Sequence, residues 1–272
     1  MSSYIFFLVF VGYFISFVLY FMNFESQKTA LYESAKRIAL VSLSFHFIIL
    51  LIIFVRAPHF LIANFSGTIA MAAFLVLAVS FVMESRHKAK FLMLFSLPIV
   101  LIFFLLAILL TERRNIVSTA DTSSWLWLHL SFILTGFSSL MIAASSALMY
   151  LLQASQLKSK RLGKIFVKLP SLDTLDRMHF RSLAWGVVLF SLGALIGILW
   201  ANKTDELRQV FKDPTVILSF LTCFMYWVVL GFRLSALRRG QKIVLSTVIV
   251  FVLLFLTILT SNIAPTGFHR GF

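Results

Sequence analysis

The chain has 272 residues, 60% of them hydrophobic and 12% charged, against about 45–50% and about 25% in soluble domains. A membrane-crossing helix takes about 20 mostly apolar residues, so this composition supplies roughly eight spans and excludes a soluble enzyme or a large extramembrane domain. The net charge of +14 comes from Lys and Arg in the short connections between apolar runs, which is a pattern of topology signals and lipid head-group contacts and not of nucleic-acid binding; the single Cys223 excludes an internal disulfide, a CxxC pair and a CxxCH haem-attachment site.

Eight apolar runs follow in chain order, over 4–22, 38–55, 66–83, 91–111, 125–153, 182–201, 214–234 and 243–262. Each predicts a transmembrane helix, so the fold class is all-α, a polytopic integral membrane protein. No positive residues precede the first run at Met1-Ser2-Ser3-Tyr4, so it is expected to be a retained span and not a cleaved signal peptide. The second run carries His46 near its middle, where an imidazole needs a partner or a ligand. Two readings stand there: a neutral histidine bonded to a neighbouring helix, or a ligand.

The fifth run exceeds the bilayer thickness, so its helix tilts or extends beyond the hydrocarbon. Its Thr135, Ser139, Ala143 and Ala147, and the Gly193–Gly197 pair of the sixth run, have the spacing that lets helix backbones approach closely in lipid. Ser171 after Pro170 can cap the segment leading into the sixth run, and Asp213-Pro214 predicts a helix start with proline in the first turn.

Lys and Arg number 17 in the odd-numbered connections and 7 on the other side, a bias that predicts both termini outside the cytoplasm. The expected organisation is an N-terminal four-helix region over 1–115 and a second four-helix region over 120–272, integrated into one membrane domain.

No phosphate loop, GxSxG elbow, zinc motif or intramembrane carboxylate pair is present, so the chain does not read as an enzyme. The acids lie in loops or at span ends, which weighs against proton-coupled transport. Among the histidines, His59, His87 and His179 are expected to be solvated or interfacial. His129 sits one turn into the fifth run, about 6 Å below its outer end, and His269 follows the eighth, where Pro265 and Gly267 can bend the tail back. Two neutral histidines on opposite sides of a flat macrocycle are a common way to hold haem iron. Trp125, Trp127, Trp200 and Phe268 lie at similar depth, and Arg270 is available to a propionate. The competing reading is an ordinary aromatic belt with incidental histidines.

The stretch Trp125-Leu-Trp-Leu-His129-Leu-Ser-Phe, running on through Ala-Leu-Met-Tyr150-Leu-Leu-Gln, resembles the signature helix of the cytochrome c assembly membrane proteins, the CcsA/CcmC/HemX-like family. Leu172-Asp173-Thr-Leu-Asp176-Arg177 with Phe190 to Asn202 is similar to the family's next helix. Asp213 to Ser219, Tyr226 to Arg233 and Arg238-Arg239-Gly240 are similar to the helix after that, and Ser261-Asn262 with Gly267-Phe268-His269 to its closing motif. The resemblance covers about 120 to 272, in the family's order; the first 110 residues carry no such motif.

What the resemblance implies is haem handling at the outer face of an energy-transducing membrane, in or near the pathway that attaches haem to apocytochrome c. Residues matching His129 and His269 are the family's outer haem ligands. The implied cofactor is a non-covalent b-type haem, resident or transient, and the implied location is the bacterial inner membrane. Implied partners are membrane lipid, other cytochrome c assembly proteins or haem-biosynthesis enzymes, and no nucleic acid. The chain departs from haem-delivering members at two places: 201–212 lacks the tryptophan-rich WGxxWxWD loop, and Gly231 stands where they carry a membrane histidine that would partner His46. Both departures favour the HemX-like branch. A second expectation follows, a regulatory or scaffold protein that acts on tetrapyrrole-synthesis enzymes through its basic inner loops without itself binding haem.

Overall fold

Backbone N–H and C=O groups inside hydrocarbon have no water to bond, so an apolar run satisfies them within itself and becomes a helix. The computed structural model describes residues 2–63, 65–87, 91–110, 124–160, 168–203, 208, 211–235 and 240–263. Its helices are α1 (Ser2–Ser26), α2 (Thr29–Arg56), α3 (Pro58–Ala63), α4 (Phe65–His87), α5 (Leu92–Leu110), α6 (Ser124–Lys158), α7 (Leu172–Lys203), α8 (Pro214–Leu234) and α9 (Gln241–Ile263). There is no strand among the described residues. Six helices, α1, α2, α4, α6, α7 and α8, are long and apolar enough to cross a membrane, and α5 and α9 are apolar over Leu92–Leu106 and Gln241–Thr257. The protein is an all-α, multi-pass membrane protein.

Each of the eight apolar runs forms one helix, and the differences lie at the ends. The helix α2 begins at Thr29 and not at Ile38, because its added turns are built of good helix formers and Lys36 lays its ammonium 5.5 Å from the centre of the Phe81 ring. Likewise α7 begins at Leu172, ahead of the apolar run: the Thr174 amide donates to Ser171 Oγ at 3.4 Å, and Arg177 pairs with Asp173 one turn away. Asp213 caps α8 as expected, accepting from the Thr215 amide at 2.8 Å with Pro214 in the first turn. With 35 residues, α6 is about 52 Å long, well beyond a hydrocarbon core of about 30 Å.

The helices group into two compact units, α1–α5 with residues 168–170, and α6–α9. In the first, α1 packs on α2 and α5, and α4 on α5. Buried polar side chains bridge these helices. Ser16 Oγ donates to the Ala35 carbonyl, and Ser80 Oγ to Ser96 Oγ. Lys168 donates to the Phe24 carbonyl and lies over its ring.

In the second unit α6 and α7 share the longest seam, with α9 against α6 and α8, and α8 against α7. The seam is close because it is lined with glycine. A methyl group added at Gly136 would stand 2.5 Å from the Phe190 amide nitrogen, and one at Gly193 2.8 Å from that of Ile133. On α6 the closest approach runs through Gly136, where the missing Cβ lets the backbones come this near. On α7 it is the expected Gly193–Gly197 pair that faces α6.

Candidate functional site

The end of the α6–α7 pair where α6 starts and α7 closes holds most of the residues singled out from the sequence. Half-buried His129, one turn into α6, donates from Nδ1 to the Gly193 carbonyl on α7 at 2.7 Å. A carbonyl only accepts, so Nδ1 carries the hydrogen and the lone pair of the neutral ring lies on Nε2. Gly197, one turn further along α7, clears the ring: a Cβ there would fall 2.8 Å from both Cε1 and Nδ1 of His129. The two glycines therefore do more than pack helices, since one supplies the acceptor and the other the space.

Trp125 lies one turn before His129 on the same face of α6, partly exposed, with the Lys203 Nζ 5.2 Å from its ring centre. Trp127 is half-buried and accepts from Ser131 Oγ through its carbonyl; Trp200 on α7 is buried. His269 and Arg270, and with them Phe268, lie outside the described residues.

His46 belongs to the other unit. It is fully buried, shares a 3.2 Å hydrogen bond between its Nδ1 and the Tyr13 hydroxyl of α1, and has ring contacts to Tyr13, Phe74 and Phe104 with centroids 5.0–6.0 Å away. Its Nε2 has no hydrogen-bond partner among the described residues. Gly231, where the sequence lacks a facing histidine, is on α8 of the second unit, with open space at its Cβ position.

One histidine reading is corrected. His179, expected to be solvated or interfacial, is completely buried inside the protein, with Nε2 2.9 Å from the Thr247 hydroxyl of α9. The early start of α7 turns it inward, on a face that also carries Asp176, which pairs with Arg233 of α8. The structure describes no side chain for His59 or His87, which stand in α3 and at the end of α4.

Sequence reasoning also passed over Glu84. At the end of α4 it reads as an interfacial acid, yet it is buried and accepts from the Tyr20 hydroxyl at 3.1 Å, the Tyr32 hydroxyl at 2.9 Å and the Met93 amide at 2.9 Å. It joins α1, α2, α4 and α5. Two tyrosines at matching depth on α1 and α2 were the available signal.

The sequence profile described as Cytochrome C assembly protein matches residues 62–269. The chain belongs to that family. Among its relatives are the cytochrome c biogenesis protein CcsA of Prochlorococcus marinus (strain MIT 9301), 25% identical over 78% of this chain and 75% of that one, and the protein HemX of Bacillus subtilis (strain 168), 23% identical over 73% and 72%. The CcsA of Guillardia theta is 25% identical over 54% of each chain, so this chain spans about half the length of that relative. The family match starts at residue 62, so it takes in α4 and α5 of the first unit and leaves out α1 and α2.

Whether the described residues suit the haem expected of the family is tested at His129. Histidines that bind metal commonly donate their other ring N–H to a carboxylate or backbone carbonyl, which fixes tautomer and orientation. The His129–Gly193 bond is of that kind, and Trp125 lies one turn earlier on the same face of α6, so the described residues fit a histidine that would hold a haem iron.

Proposed function

We propose that this family member is a haem-binding membrane factor of cytochrome c assembly, acting at the outer face of a bacterial inner membrane with eight spans and both termini outside. The single observation that carries this is the His129 Nδ1 bond to the Gly193 carbonyl, which directs the Nε2 lone pair as an axial ligand requires. His129 and His269 would be the axial pair, Trp125, Trp127 and Trp200 the apolar wall, and Arg270 a propionate contact. A haem held by these two histidines would supply a low-spin iron centre. The chain's own residues hold the ligand, orient it and screen it from water.

The test is an absorption spectrum of the purified protein in detergent, reduced minus oxidised. A low-spin b-type signal is expected in the parent and is lost in His129→Ala and His269→Ala proteins that still insert. Variants that bind haem like the parent would return both histidines to the aromatic belt. For topology, a reporter fused after Phe272 should be active only in a form that works outside the cytoplasm, following the 17 to 7 loop charge bias.

A second function is favoured by a separate observation. A HemX protein matches most of this chain, and the stretch 201–212 has no tryptophan. On that basis the chain would act as a regulatory or scaffold protein on tetrapyrrole-synthesis enzymes, docking them through the basic residues from Lys158 to Arg181. A parent that never binds haem, but is retained by such an enzyme, would favour it.

A further inference from the structure

Lys203 is one of the seven basic residues outside the odd-numbered connections. In the structure it closes α7 and lays its ammonium 5.2 Å from the centre of the Trp125 ring. Trp125 is one turn from His129 on one face of α6, and α7 is the helix whose Gly193 carbonyl and Gly197 gap hold the His129 ring. One end of one helix pair therefore brings together a directed imidazole, an indole face and a primary ammonium. The indole gives that ammonium only a π face, a weak contact at an exposed site. A carboxylate gives it a charge-assisted hydrogen bond, roughly twice as strong as a neutral one.

We infer that Lys203 is a carboxylate contact of the outer site: it exchanges the Trp125 face for a carboxylate of the bound macrocycle, whose flat ring then covers the indole. The exchange is balanced, because Trp125 trades a cation for a stacked ring and Lys203 trades a π face for an anion. Lys203 is also exposed at the helix end, so its four-carbon stem can swing from one partner to the other without disturbing the α6–α7 seam. This rests on the haem reading proposed above and adds to it a residue that determines which ligands are held.

The experiment uses the full chain in detergent, titrated with ferric haem and, separately, with haem dimethyl ester, in which both carboxylates are blocked. Binding is followed by the Soret band. The parent should prefer the free acid. Lys203→Gln should raise the Kd for haem about threefold to tenfold, leave the Kd for the diester unchanged, and keep the low-spin band shape set by His129. Lys203→Arg should retain the preference. If Lys203→Gln weakens both ligands equally, the residue acts through Trp125 packing and the inference is wrong. An unchanged acid-to-ester ratio overturns it as well. A parent that binds neither ligand removes the haem reading and this inference with it, whereas a parent that binds haem alongside an unaffected Lys203→Gln removes the inference alone.

Discussion

In the first unit hydrogen bonds of buried polar side chains cross between helices and glycine makes isolated close contacts at Gly12 and Gly67, whereas in the second a row of four glycines lines the seam where α6 and α7 meet. Tyr13 with His46, Tyr20 and Tyr32 with Glu84, and Ser80 with Ser96 span the first unit. The second has cross-links too, Asp176 with Arg233 and Trp227 with Ser191, but these tie α8 to α7 and leave the α6–α7 seam to Gly136, Gly186, Gly193 and Gly197. Lipid tails are as apolar as leucine, so neither contact has a hydrophobic drive and each must find another attraction. The two solutions differ in what they leave for function. Side-chain bridges consume polar groups, while a glycine seam brings main-chain carbonyls within reach of a facing side chain, and His129 uses one of them.

That contrast can be broken at several points. The largest expected effect is at Gly136. Gly136→Ala places a methyl group 2.5 Å from a backbone nitrogen, and the forced shift should cost about 1–3 kcal/mol, seen as a lower melting temperature in detergent. Gly136→Leu should prevent recovery of folded protein. A Gly136→Ala protein that melts like the parent would mean that the seam is not what holds the second unit.

Next comes Glu84. Glu84→Ala leaves the Tyr20 and Tyr32 hydroxyls and the Met93 amide without their acceptor, a loss of about 1–2 kcal/mol given the modest value of hydrogen bonds between membrane helices. Glu84→Gln keeps one acceptor oxygen and should cost less than half as much. Unfolding in mixed detergent micelles measures both, and a Glu84→Ala protein that melts like the parent would show that these three hydrogen bonds do not hold the first unit together.

The smallest effect is expected at His46. His46→Phe keeps the aromatic packing against Phe74 and Phe104 and removes the Tyr13 bond, at about 0.5–1 kcal/mol. The low-spin haem spectrum should persist. Its loss would place a ligand in the first unit and end the contrast between a unit built on polar bridges and one that carries the site.

How much of this was legible in the sequence depended on whether a feature is local. The helices could be read because hydropathy summed over one run decides whether that run can sit in lipid, and the Asp213-Pro214 start because a cap and its amide are two residues apart. Lys203 and Glu84 looked alike as charges at helix ends, and only packing separates an exposed ammonium beside an indole from a buried carboxylate with three donors. His179 was misplaced for the same reason: the apolar run marks where α7 is hydrophobic, not where the helix begins or which way its first turns face.

By itself, then, the sequence determined the number and order of the apolar helices, the glycine spacing that allows a close seam, and the histidines that could bind a metal. The tertiary structure alone decided which carbonyl meets which imidazole. Gly193 and His129 are 64 residues apart, and their meeting depends on the rotation and register of two helices against each other. That register is set where a Cβ is missing, and no property summed along a single run contains it.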